Sequence, residues 1–172
     1  DTDAKGTMTI AQHNVINSAA GSANKVTLTA AGTVTANSAV ETYVLAGTGN
    51  VFTLSAAGQS VDTGSGGSNT VDVAALTATG TFTTQTSDTI KISNGGNIAG
   101  AVKSGGSAGD AFTATHLTLA SGASTTMTAA QHNGFSGTVT AAGTEQITLT
   151  DAGTVTGESV IETYVLAGTG NV

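Results

Sequence analysis

The chain has 172 residues, 24 of them Gly, with no Pro, Cys or Trp, only 9% charged and 3% aromatic residues, and a net charge of −7. Without Cys, disulfide frameworks and Cys-based zinc sites are excluded; four cations (Lys5, Lys25, Lys91, Lys103) and no Arg cannot neutralise a run of phosphates, so no nucleic-acid partner is expected. No apolar run approaches the ~20 residues of a membrane span and none reads as a signal peptide, so membrane insertion is not expected and any secretion signal is expected elsewhere.

Hydrophobic residues reach 38% and the mean hydropathy is +0.15, which favours a folded chain over a disordered one. Thr and Val are strand formers and Gly and Asn punctuate them, so short β-strands are predicted throughout. Large side chains are scarce. The interior must therefore be narrow.

The first elements along the chain already recur further on. Thr7-Met8-Thr9 and Gln12-His13-Asn14 return as Thr126-Met127-Thr128 and Gln131-His132-Asn133. Val26 to Val51 returns as Ile147 to Val172 with 20 of 26 positions identical, and Glu41–Val51 is repeated without change as Glu162–Val172. Residues 7–125 thus form one unit of about 120 residues and 126–172 the start of a second, the sign of a repeat architecture. The second copy stops inside the pattern, so the chain is expected to be a cut through a longer array with bare strand edges.

A shorter period lies inside the unit. Asn50-x-Phe52, Asn69-x-Val71 and Asp88-x-Ile90 place a polar residue two before a large apolar one at intervals of 19, and Asp110-x-Phe112 continues the series after 22. A polar turn followed by a short strand every 19 residues predicts the coil of a β-solenoid. Strands are expected at Val51–Leu54 with Ser60–Asp62, then Thr70–Val73 with Gly80–Thr83, stacked at ~4.8 Å. The alternative is an antiparallel β-sandwich, which also has strands every 8–12 residues.

The run Val51–Val61, followed by Gly64-Ser65-Gly66-Gly67-Ser68-Asn69-Thr70-Val71-Asp72, resembles very large secreted bacterial proteins with Thr/Gly/Ala-rich β-strand repeats. These are RTX-like proteins exported by type I systems, including giant adhesins and S-layer-type proteins. Their calcium nonapeptide reads G-G-x-G-x-D-x-U-x. Gly64, Gly67 and Val71 fit it, whereas Ser65 and Asn69 replace a Gly and the Asp; Thr83–Lys91 keeps only Asp88 and Ile90. The resemblance implies an extracellular location and names Asp62, Asp72 and Asp88 as candidate calcium ligands, since calcium takes carboxylate and carbonyl oxygens. The departures imply turns in which the Asn or Asp caps the backbone instead. No other cofactor is expected.

No catalytic set emerges. His13 and His132 are one repeated position and His116 stands alone; all three are expected at turns or on the surface. Gly64-Ser65-Gly66 reads as a turn, not a nucleophile elbow. The acids are scattered singly, unlike the paired carboxylates of glycosidases. Glu41 and Glu162 are expected as repeated turn residues, or as lateral contacts between rods. Tyr43 and Tyr164 are expected to close the side of a coil with a polar partner for the hydroxyl. Thr-x-Thr pairs such as Thr33/Thr35, Thr81/Thr83, Thr138/Thr140 and Thr148/Thr150 put two hydroxyls on one strand face, a pattern that ice-binding solenoids also use. The expectation is a non-enzymatic structural segment of a large extracellular protein (adhesin stalk, S-layer or filament), partnered by copies of itself or adjacent repeats.

Overall fold

A computed structural model describes residues 5–15, 24–167 and 169–172. In chain order it begins with β1 (Lys5–Met8), the single helical turn α1 (Ile10–His13), β2 (Lys25–Leu28), β3 (Thr33–Thr35), β4 (Thr42–Val44) and β5 (Val51–Thr53). The middle holds β6 (Ser60–Asp62), β7 (Thr70–Asp72), β8 (Thr81–Thr83), β9 (Thr89–Ile92) and β10 (Val102–Lys103). Then come β11 (His116–Leu119), β12 (Ser124–Met127), α2 (Ala129–Gly134), β13 (Val139–Thr140), β14 (Gln146–Leu149) and β15 (Thr163–Leu166).

Every strand pair is parallel, and each ladder joins one coil to the next. One face is the sheet β1-β2-β4-β6-β8-β10 and a second is β3-β5-β7-β9-β11-β13. The chain is an all-β solenoid of about eight turns, its central ladder steps 19 residues apart, as in Val51↔Thr70↔Thr89. The antiparallel sandwich is overturned: the one antiparallel contact among the described residues is the isolated bridge Val102↔Ala108.

The sequence places two strands in each coil by residue number, and the structure adds a third face. Thr77 bridges Asn97 and Asn97 bridges Thr126, so a third ladder runs into the sheet β12-β14-β15. Its lower rungs are too short to form strands, which hides them from periodicity. Inward positions alternate with outward ones as a pleated strand requires. Val26, Tyr43, Val61 and Phe82 face inward from the first sheet; Val34, Phe52, Val71, Ile90 and Leu117 from the second; Ala78, Ile98, Met127 and Ile147 from the third. All are buried. Ring contacts are few: Tyr43 meets Phe52 (4.7 Å) within one turn, and Phe82 meets Phe112 (5.5 Å).

Two glycines serve this close stacking. Gly64 has φ +71°, the left-handed region that glycine adopts freely. Gly80 is needed for space, because a Cβ there would collide with the carbonyl oxygen of Gln59 in the coil beneath.

Candidate functional site

The residues that mark the 19-residue period form a stacked column at the corner leading into the second sheet. Asn50, Asn69 and Asp88 are 2%, 0% and 0% exposed. The Oδ1 of Asn50 accepts from the Gly32 N–H (3.1 Å), that of Asn69 from the Asn50 N–H (2.9 Å), and that of Asp88 from the Asn69 N–H (2.8 Å). Each rung thus caps the strand entry of the coil below. The second atom of each side chain decides the residue type. Asn50 and Asn69 turn an amide toward carbonyls of their own turns, Ala46 and Gly66. Asp88 instead meets two donors, the Gln85 N–H (2.7 Å) and the Thr63 hydroxyl (2.6 Å), and so must be an acceptor only.

Asp110 does not take the next rung. Leu117, not Phe112, stacks on Ile90, so the coil is longer than the sequence spacing suggests. Residues 105–113 loop out between β10 and β11, where the Asp110 carboxylate caps the Ser107 N–H (2.7 Å) and Phe112 folds back onto Phe82 and Phe135. The spacing of Asp110 asks the Gly-rich loop to absorb three extra residues; it absorbs eight.

Where the chain enters the first and third faces, carboxylates and amides do the capping. Glu41 accepts from the Asn24 N–H (2.6 Å), and Glu162 from the Glu145 N–H (2.9 Å). The Glu41 and Glu162 carboxylates are therefore engaged within the stack. Burial pushes Glu145 up, but the backbone N–H groups of Gly122, Gly143 and their neighbours more than offset this and hold it below the usual carboxylate range.

A His–Tyr pair recurs in both units. His13 Nε2 lies 2.9 Å from the Tyr43 hydroxyl, and His132 Nε2 lies 2.9 Å from the Tyr164 hydroxyl. Each phenol oxygen also accepts a backbone N–H, from Asn37 (2.7 Å) and Glu158 (2.9 Å) respectively. Both histidines sit on helical turns but their imidazoles are buried, so the surface alternative does not hold for them. The reason is the helical turn carrying each: Thr9-x-x-Gln12 and Thr128-x-x-Gln131 form capping boxes, which fix the turn and aim the histidine inward. Only strands are expected here from the sequence; the T-x-x-Q spacing is the local signal that marks α1 and α2. Burial lowers the affinity of His132 for a proton, against the opposing pull of Glu158, and raises the phenols of Tyr43 and Tyr164 above their ordinary value.

The candidate calcium ligands are not brought together. Asp62 caps the Gly64 N–H (2.8 Å) on the first sheet; Asp72, on the second, caps the Ala74 N–H (2.8 Å) and pairs with Lys91 at 2.7 Å; Asp88 sits in the buried column. Among the described residues no group of three or more His, Asp and Glu is placed to hold a metal ion. His116 accepts the Thr138 N–H at Nδ1 (2.8 Å). The threonine rows are broken as well. On the second sheet Thr35 and Thr53 are followed by Asp72 and Lys91 before Thr118 and Thr140, so an ion pair interrupts the hydroxyls.

The remaining feature is the end of the stack. Leu149, Val155, Tyr164, Leu166 and Val172 line an apolar hollow there. Leu166 is 52% exposed, whereas its counterpart Leu45, in an identical stretch of sequence, is 2% exposed. Taken together, the arrangement is one of internal caps and a stacking surface, that of a repeat structural domain. No family model matches the chain, and no curated protein or solved structure shows significant similarity to it.

Proposed function

We propose that the chain is a non-catalytic structural segment of a large extracellular bacterial protein, a stalk, surface layer or filament built by stacking coils. The observation that carries this reading is continuity. The second sheet runs without a break from β3 in the first unit to β13 in the second, and the third face joins β12 to the coils before it. Neighbouring units share one core instead of being beads on a linker, so load is borne by backbone ladders along the axis. The polar side chains of the corners bond to their own backbone, which suits a load-bearing rod. The Gly64–Asp72 turn, with its likeness to RTX-like surface proteins, supports the extracellular setting. Copies of the same unit are the natural partners.

Antibodies raised against the purified chain test this on source cells. Labelling of intact cells, removed by external protease, is the expected result. Labelling only after lysis would overturn the reading.

A further inference from the structure

The two units are equivalent in sequence but not in their place around the rod. β1, β2 and β4 pair in sequence with β12, β14 and β15, yet the first three lie on the first sheet and the latter three on the third face. Counting three faces per turn, β1 opens the first turn and β12 closes the sixth, five and two-thirds turns later. The same offset relates β2 to β14, β4 to β15 and the helical turn α1 to α2. One 120-residue unit therefore does not hold a whole number of coils.

The end of the stack repeats a surface that is covered in the first unit. There the identical stretch Glu41–Val51 lies beneath the next turn: Tyr43 pairs with Val61, Leu45 N–H bonds the Asp62 carbonyl (2.8 Å), and Phe52 lies against Tyr43. Gln59 donates its amide to the carbonyls of Asn37 (2.8 Å) and Val40 (2.9 Å). In the second unit the counterparts Tyr164, Leu166 and Val172 line an apolar hollow, and β15 is the outer strand of its sheet.

We infer that the apolar end at Tyr164, Leu166 and Val172 seats a following turn with the inward pattern of residues 52–62, supplied by the next part of the same polypeptide, and that each unit of such an array is turned by one face. This rests on the tandem structural reading above. The consequence is an interaction surface with a screw. A feature on one face of one unit, such as the α1 turn, moves to another face in the next and returns every third unit. With coils ~4.8 Å apart, the unit rise is about 27 Å and the return about 80 Å. Lateral contacts between rods then recur along one face at that longer interval, and the rod offers no single unit-by-unit face to a partner.

Two engineered chains test it. In the first, residues 52–73 are added after Val172 and hydrogen exchange is followed at 163–166. Protection rising toward that of 42–45 is expected; unchanged exchange would overturn the seating of the turn. In the second, a six-unit array is imaged by cryo-electron microscopy. A single rod whose helical turns step by one-third of the circumference per ~27 Å is expected. Helical turns aligned on one face would overturn the screw, and separate beads would overturn the seating. Neither readout depends on where the protein resides in the cell, so failure here is distinct from failure of the cell-labelling test.

Discussion

Replacing Asn69 with Ala removes the middle rung of the corner column. The Asn50 backbone N–H and amide lose the Asn69 Oδ1 at 2.9 Å each, and the carbonyls of Thr63 and Gly66 lose its amide. The Gly66 side of the turn is partly exposed and water can replace that bond; the Asn50 N–H is buried against the coil above and cannot be rehydrated. One orphaned buried donor costs about 1–3 kcal/mol, and each replaceable hydrogen bond roughly 1 kcal/mol or less. The expected loss is therefore about 2–4 kcal/mol, which for a chain of this size lowers the melting temperature by roughly 5–15 °C. Thermal and urea unfolding followed by circular dichroism measure it. Asn50→Ala alone removes the acceptor of Gly32, but combined with Asn69→Ala it also removes the amide that the first change orphaned. The double variant should then lose less than the sum of the two, by about 1 kcal/mol. An Asn69→Ala protein within ~0.5 kcal/mol of the parent, or strictly additive losses, would refute the idea that the column is a connected hydrogen-bond ladder.

Asp88→Asn should destabilise although it is nearly isosteric, because a single amide oxygen cannot accept from the Asn69 N–H on one side and from the Gln85 N–H and Thr63 hydroxyl on the other; urea unfolding should show a loss of about 1–3 kcal/mol. Gly80→Ala should cost about 1–3 kcal/mol by the same measurement, since the added methyl meets the Gln59 carbonyl of the neighbouring coil. His132 binds a proton less readily folded than unfolded, so its share of stability is complete above pH 6.5 and is lost as pH falls below that value; the melting temperature should fall there less steeply in His132→Gln. Glu145 is also held down, so its share is complete above pH 4.5 and lost as pH falls through the folded value; Glu145→Gln should flatten the melting curve in that more acidic range. Calcium should leave the melting temperature unchanged, because Asp62, Asp72 and Asp88 serve separate backbone caps; a large gain reversed by a chelator would argue for an RTX-type ion site.

Much of the architecture is legible in the sequence because a solenoid is written in one dimension. The spacing of Asn50, Asn69 and Asp88 is the spacing of the coils themselves, so the parallel ladder and its capped corner follow from counting. Composition points the same way: small side chains suit a narrow interior. Less legible are the short rungs at Thr77 and Asn97, where single bridges leave no alternation to read. Asp110 misleads for a related reason. Its spacing imitates a rung, but only the pairing of Leu117 with Ile90 reveals that residues 105–113 leave the stack.

The 120-residue repeat, the coil period and the polar identity of the corner are properties of the sequence alone, since each is a local pattern that recurs. Which face a strand occupies is not. Glu41–Val51 and Glu162–Val172 are the same eleven residues, yet the first lies on the first sheet with Leu45 buried and the second on the third face with Leu166 exposed. Identical local chemistry cannot distinguish them. Only the number of coils accumulated before each, and the coil that packs over it, sets their position and burial.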